Sequence, residues 1–255
     1  MKKIIIALVL INIALYTWLF HDTSTGAAQW QYVKTPGPTP GNPQWKTVTV
    51  NDRSYAYDFF RVPRTSTLEL IPNFATRLPS KSIAFQYNCT YAINAGFYDK
   101  AYKSLGLFVT DKKIFGATIA SALLNGFFEV DDNNRADIQQ TQNSATHITL
   151  QSGPLLMLNG KPLLLKIKND EFARRSIAAI SKNGDILFFS LFLPDSEISG
   201  PLLQNLPDVL MEINKNQKLN ISDALNLDGG SASFFKGKEL YLEELTTVGG
   251  VFCVR

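Results

Sequence analysis

Asp228 stands at the end of an apolar run, Ala224-Leu225, in the segment Asn226-Leu227-Asp228-Gly229-Gly230-Ser231. Glycine has no Cβ, so two in succession permit φ > 0 and allow a ligand close to the backbone. An acid delivered there, with Asn226 and Ser231 or Ser233 beside it, can meet a substrate in a polar pocket. The same residues also spell an ordinary Asp-Gly turn between strands. A second group of this kind lies far upstream, in Asn94-Ala95-Gly96-Phe97-Tyr98-Asp99. The β-type run Tyr91-Ala92-Ile93 puts Asn94 where a strand ends and the chain turns through Gly96. An amide, a carboxylate and two rings in six residues suit a sugar: polar groups bond its hydroxyls and rings cover its apolar faces.

Two further segments join these. Gln151-Ser152-Gly153-Pro154 leads into an apolar stretch ending at Asn159-Gly160, and Arg174-Arg175-Ser176-Ile177-Ala178 opens another. In this order the four segments resemble the phosphodiester glycosidase family, over roughly residues 46–254. Two positions depart from its pattern, Ala179 where a glycine is frequent and Ala232 within the serine-rich end; neither removes a candidate catalytic group. The resemblance implies release of a sugar from a sugar-1-phosphodiester, in turnover or maturation of exported or cell-surface glycans. It points to catalysis by Asp228 and Arg175, beside which Asp99 is a candidate second carboxylate, and to substrate contacts at Asn94, Gly96, Phe97, Gln151, Gly153, Asn226, Gly229, Gly230 and Ser231.

The chemistry is coherent on those residues. If the C1–O bond breaks, the leaving group is a phosphate monoester with a second pKa near 6, which needs little protonation. It needs a cation, and Arg175 can supply a planar, bidentate fork. On a strand Arg174 and Arg175 point to opposite faces, so one of them reaches the site. Asp228 then faces the anomeric carbon, and Asp99 is the second carboxylate of a two-acid scheme whose stereochemistry depends on their separation. A competing reading is a non-catalytic module that binds glycan or assists exopolysaccharide assembly on the same fold. Attack at phosphorus is a third, and would need carboxylates clustered around a divalent ion. No cofactor is expected on the glycosidase reading, and a divalent cation stays open as the alternative.

The rest of the sequence limits where this happens. Lys2-Lys3 precede an apolar run from Ile4 to Phe20, an export signal. Its length lies between a signal-peptide core and a membrane span, and the reading preferred is an anchor with the lysines inside and the domain outside; Gly26-Ala27-Ala28 offers the alternative of cleavage and secretion. Residues 1–28 are therefore assigned to the leader, 29–44 to a Pro/Gly-rich linker and 45–255 to the domain. The formal charge of +3 gives no footprint for nucleic acid. Cys89 and Cys253 are the only cysteines; they either pair, tying the last strand to the one before Asn94, or remain buried thiols. With two histidines in the chain, a zinc site or a Cys–His nucleophile has little support. The oxygen-rich segment from Asp131 to Asp137 lacks the glycine and bidentate Glu of a calcium loop and reads as solvated.

Strand alternation begins at Trp45 and recurs at Tyr55–Phe60 and Thr67–Leu70. Short helices are expected at Ser82–Tyr87 and Pro207–Asn214, the second led by a proline suited to a first turn. Hairpins are expected at 105–116, at Pro154–Leu158 with Pro162–Leu165, and across Asn183-Gly184. The expected fold is a single α+β domain of mixed, largely antiparallel sheets with a few short helices.

Overall fold

The computed structural model describes residues 45–143 and 147–255, all within the second of the chain's two units, Pro43–Arg255. The expected leader and linker lie outside the described residues. Among those described, no helix is long and apolar enough to cross a membrane.

The chain opens with β1 (Lys46–Val50) and β2 (Arg53–Arg61), turning through Asn51 and Asp52, both at positive φ. Then come β3 (Leu68–Pro72), helix α1 (Ser80–Gln86) and β4 (Tyr91–Asn94). The hairpin of β5 (Phe108–Thr110) and β6 (Lys113–Gly116) is followed by β7 (Gly126–Val130), β8 (Ala136–Gln139) and β9 (Ile148–Ser152). Next are β10 (Leu155–Leu158) and β11 (Lys161–Pro162), joined through Asn159-Gly160, and then β12 (Arg175–Ser181) and β13 (Ile186–Phe192). Helix α2 (Leu206–Gln217), β14 (Ile221–Asn226), the two-residue strands β15 (Phe235–Lys236) and β16 (Tyr241–Leu242), and β17 (Gly250–Val254) complete the order. β11 ends at Pro162 instead of running to Leu165, with one more bond beyond it, from the Leu163 N–H to the Leu156 carbonyl at 2.9 Å.

The described residues form three sheets: β1-β2-β13-β12-β14-β10-β11, β16-β15-β4-β17-β3 and β6-β5-β9-β7-β8. The α+β expectation holds, and every paired strand among the described residues is antiparallel. The centre of the first sheet is covered on both faces, which explains why β12 and β13 are apolar almost throughout. Ala178, Ile180, Phe188 and Phe192 face a core shared with Phe128, Leu225 and Phe252. Ile177, Ala179, Leu187 and Phe189 alternate to the other face and meet Val209, Leu210 and Ile213 of α2. Those helical positions, with Leu206, keep the spacing of one helix face. Cys89 and Cys253 are joined by a disulfide, which ties β17 to the segment entering β4.

The antiparallel registers fix the site. β12 begins where β14 ends, with Ile177 opposite Asn226. β4 ends opposite β17 in the neighbouring sheet, with Asn94 opposite Val251. The residues flanking these ends therefore collect at one edge of the two sheets.

Candidate active site

The Asn94 side chain joins the three strand ends. It is fully buried. Its Oδ1 accepts from Ser176 Oγ at 2.7 Å and from the Phe234 N–H at 3.0 Å. Its Nδ2 donates to the carbonyl of Asp228 at 2.7 Å. The Asp228 N–H returns a bond to the Ala95 carbonyl at 3.1 Å. Asn94 is thus a structural anchor of the site, and its amide is spent on the protein.

The glycines let the Asp228 loop lie on the start of β12. The Gly230 N–H bonds the Arg174 carbonyl at 2.8 Å. A Cβ on Gly229 would come within 2.9 Å of that same oxygen, and Gly230 has φ +62°. Non-glycine residues would force the loop off the strand. The Asp228 carboxylate accepts the Gly229 N–H at 2.8 Å. Burial pushes its pKa up to about 7, with only that N–H to offset it. Asp228 is half-buried, and among the described residues no cation takes part in that balance, so the ionised form has no counter-ion.

The two arginines diverge. Arg174, 1% exposed, donates from Nε to Ser233 Oγ at 2.5 Å, from Nη1 to the Glu197 carbonyl at 3.1 Å, and from Nη2 to the carbonyls of Ser233 and Glu243. It holds the loops behind the site, and burial lowers its pKa to about 10. Arg175 donates from Nε to the Pro201 carbonyl at 2.9 Å and from Nη2 to the Glu171 carbonyl at 2.5 Å and Asp170 Oδ1 at 3.4 Å. Its Nη1 remains beside Gly229, 3.9 Å from where a Cβ would stand. Arg175 is therefore an ion-pair partner, to Asp170, with one edge turned toward the Asp228 loop.

The other predicted residues divide between rim and frame. Asp99 Oδ1 accepts the N–H groups of Ala101 and Lys103 at 2.8 and 2.9 Å. Through that oxygen it closes its own turn. Gln151 falls outside a substrate role. Its Oδ-equivalent, Oε1, accepts from Leu107 and Ile119 N–H, and Nε2 donates to the Ile119 and Leu124 carbonyls, filling all four positions of the amide. Gly153 is a packing position, since a Cβ would lie 2.0 Å from the Leu123 carbonyl. Gly96 packs on Leu150, and the Phe97 carbonyl accepts the Leu105 N–H at 2.9 Å. Asn226 donates to the Gly153 and Leu227 carbonyls at 2.9 and 2.7 Å, while its Oδ1 is buried without a partner. Ser231 is exposed on the rim, and its Oγ lies 3.2 Å from Thr246 Oγ1.

Three neighbours were not among the predicted site residues. Ser176 holds Asn94, Asp170 holds Arg175, and Tyr98 hangs its hydroxyl on the Thr247 carbonyl. Burial raises the Tyr98 pKa, and the nearby charge of Asp228 adds to the rise. Ser176 and Tyr98 stand inside the quoted segments and could have been read as polar interruptions of them; Asp170 had no signal. Among the described residues, no three His, Cys, Asp or Glu side chains gather in a way that could hold a metal ion.

The phosphodiester glycosidase family model matches residues 87–242. No curated protein matches the chain. Among solved structures, the zebrafish N-acetylglucosamine-1-phosphodiester alpha-N-acetylglucosaminidase catalytic domain, auto-inhibited by its pro-peptide, is 15% identical with a TM-score of 0.64; the match covers 83% of this chain and 81% of that one. A hypothetical protein from Synechocystis is 15% identical with a TM-score of 0.65, covering 82% of this chain and 61% of that one. At such identities the structural likeness establishes the fold.

Proposed function

Because the chain belongs to the phosphodiester glycosidase family, we propose that it hydrolyses a glycosyl-1-phosphodiester of an exported or cell-surface glycan. The observation that carries this reading is Asp228: a carboxylate fixed by its backbone to Asn94 and Ala95, with a pKa of about 7 and no cation to neutralise it. An unpaired negative charge held at the anomeric carbon favours a transition state that develops positive charge, such as an oxocarbenium ion. A base with a pKa near the working pH is also suited to taking a proton from water.

In the proposed reaction water forms a bond to C1 as the C1–O bond breaks. The electron pair leaves with the phosphate monoester, and the water proton passes to Asp228 and then to solvent. The departing monoester is stable as an anion near neutral pH, so a second acid is not essential, consistent with the occupation of Asp99 by its own turn. Arg175 Nη1, beside Gly229, would face the phosphate. Asn226 Oδ1 is a buried acceptor without a protein partner, suited to a buried water beneath the Asp228 loop. Export is supported by the Cys89–Cys253 disulfide, since such bonds persist in oxidising compartments.

A glycan-binding role without catalysis is the second reading, favoured by the ion pair between Arg175 and Asp170. Incubating the protein with sugar-1-phosphodiesters in water enriched with heavy oxygen separates the possibilities. Hydrolysis at carbon labels the released sugar and disappears in Asp228→Asn. Label in the phosphate would overturn the mechanism, and binding without turnover would favour the second reading. If ionised Asp228 is the active form, kcat/KM rises through about pH 7.

A further inference from the structure

Beyond Tyr98, the rim carries a stacked series of side chains for which the mechanism above has no use. The Tyr98 and Tyr102 rings lie 5.5 Å apart at an interplanar angle of 18°. The Arg77 guanidinium covers Tyr102 at 3.9 Å from the ring centroid. Among the described residues twelve non-glycines have positive φ, and eight of them are Asn or Asp, which tolerate it. Arg77 (φ 50°) and Tyr102 (φ 58°) do not belong to that class, and they touch each other. Backbone held in this region costs free energy and persists where the surroundings impose it.

The surroundings do so on both sides. Buried Asn73 donates from Nδ2 to the Leu78 and Val248 carbonyls at 2.9 and 3.0 Å, and its Oδ1 accepts from Thr76 Oγ1 and the Leu78 N–H. This fixes the loop that presents Arg77. Asp99, through its bonds to Ala101 and Lys103, fixes the turn that presents Tyr102. Both loops are tied to the segment 246–249, which Tyr98 meets at the Thr247 carbonyl and Ser231 meets at Thr246. The stack is therefore continuous in space with the Asp228 loop.

Arg77 is exposed. Among the described residues its guanidinium makes no ion pair with a carboxylate and no hydrogen bond to protein. A guanidinium laid flat on a ring keeps its N–H edges free for a planar, bidentate acceptor such as phosphate. Arg174 and Arg175, by contrast, spend most of their donors on the protein.

Building on the catalytic reading above, we propose that Arg77, stacked on Tyr102 and Tyr98, is a second anion subsite, and that the substrate is a glycan carrying a further phosphate on the aglycone side of the scissile phosphodiester. A polymer joined through sugar-1-phosphodiesters has this charge pattern, with one anion at the reacting bond and another on the neighbouring unit. Arg77 is a specificity determinant in this arrangement, and Asp99 and Asn73 are positioning residues that hold the stack.

The test uses two sugar-1-phosphodiesters that differ only by a phosphate on the aglycone sugar. Binding is measured by calorimetry to the full chain carrying Asp228→Asn, alone and with Arg77→Gln or Tyr102→Leu. The expected result is a gain of about tenfold in affinity from the extra phosphate, as for one charge-assisted contact. That gain should vanish in Arg77→Gln, shrink in Tyr102→Leu and weaken with salt, while neither substitution changes the affinity for the probe without the extra phosphate. An equal gain in Arg77→Gln, or no gain in the parent, overturns the subsite. Sugar release from the probe without the extra phosphate, by the chain with Asp228 intact, reports on the catalytic reading separately. Its absence beside a phosphate gain would sink that reading and keep the anion site, whereas turnover without the gain would do the reverse.

Discussion

Asn94 Nδ2 donates to the Asp228 carbonyl at 2.7 Å across 134 residues of sequence, so the loop bearing the acid is positioned by the strand end of a different sheet. Asn94→Ala would leave the Ser176 hydroxyl, the Phe234 N–H and the Asp228 carbonyl unpartnered in a buried space. Each such group costs roughly 1–3 kcal/mol. The expected loss of stability is about 3 kcal/mol or more, with activity falling further because the Asp228 loop loses its anchor. Asn94→Asp should be no milder, since an oxygen would then face the Asp228 carbonyl. Denaturant unfolding and turnover of the two variants, compared with a Ser176→Ala control, check this order.

The acid itself should oppose folding above neutrality. Its folded pKa is raised from 3.8 to about 7. A raised value means that the folded state holds the proton more tightly than the unfolded chain. Its favourable contribution is thus complete below about pH 4 and is lost as pH rises toward 7. Each pH unit of difference corresponds to about 1.4 kcal/mol. Asp228→Asn, which can still accept the Gly229 N–H, should therefore be more stable than the parent above pH 7, by one to a few kcal/mol on that scale. The difference should close between pH 7 and pH 4. A constant difference across this range would show that the site does not hold Asp228 in the environment described.

Gln151 separates a structural role from a substrate role. It is 2% exposed and bonded entirely to backbone. Gln151→Leu should destabilise by on the order of 3 kcal/mol, because a similar volume replaces four hydrogen bonds. Affinity for a sugar-1-phosphodiester, measured well below the unfolding transition, should change little. A selective loss of affinity at unchanged stability would return Gln151 to the substrate.

Much of the frame could be read from sequence because it depends on local pattern. The turn at Asn159-Gly160, the proline at the start of α2 and the apolar alternation of β2 are all features of adjacent residues. The segments around Asn94 and Asp228 were also legible, and the structure brings both to one edge. What each side chain does there was not. Asp99 and Gln151 carry the functional groups a sugar site needs, yet their bonds go to backbone that comes close only after folding. Arg175 could be expected to bear a cation, but its partner Asp170 sits in a loop without motif. Arg77 and Tyr102 meet across 25 residues through two left-handed backbone positions, which no periodicity foretells. The Cys89–Cys253 pairing stayed open for the same reason, since it depends on β17 lying beside β4.

That disulfide lies next to the site's anchor without belonging to it. Cys253 lies opposite Ala92 in β4, two residues before Asn94. The bond closes a sequence separation of 164 residues, for which the chain-entropy model gives about 5 kcal/mol, against measured values of about 2–5 kcal/mol. In a domain of this size each kcal/mol moves Tm by about 2–4 °C. The double replacement Cys89→Ala and Cys253→Ala should therefore lower Tm by roughly 5–15 °C. Asn94 is held independently by Ser176 and Phe234, so turnover and affinity measured well below the new transition should match the parent. A folded variant that had lost activity at low temperature would mean that the bond aligns β4 and the Asp228 loop as well as restraining the unfolded chain.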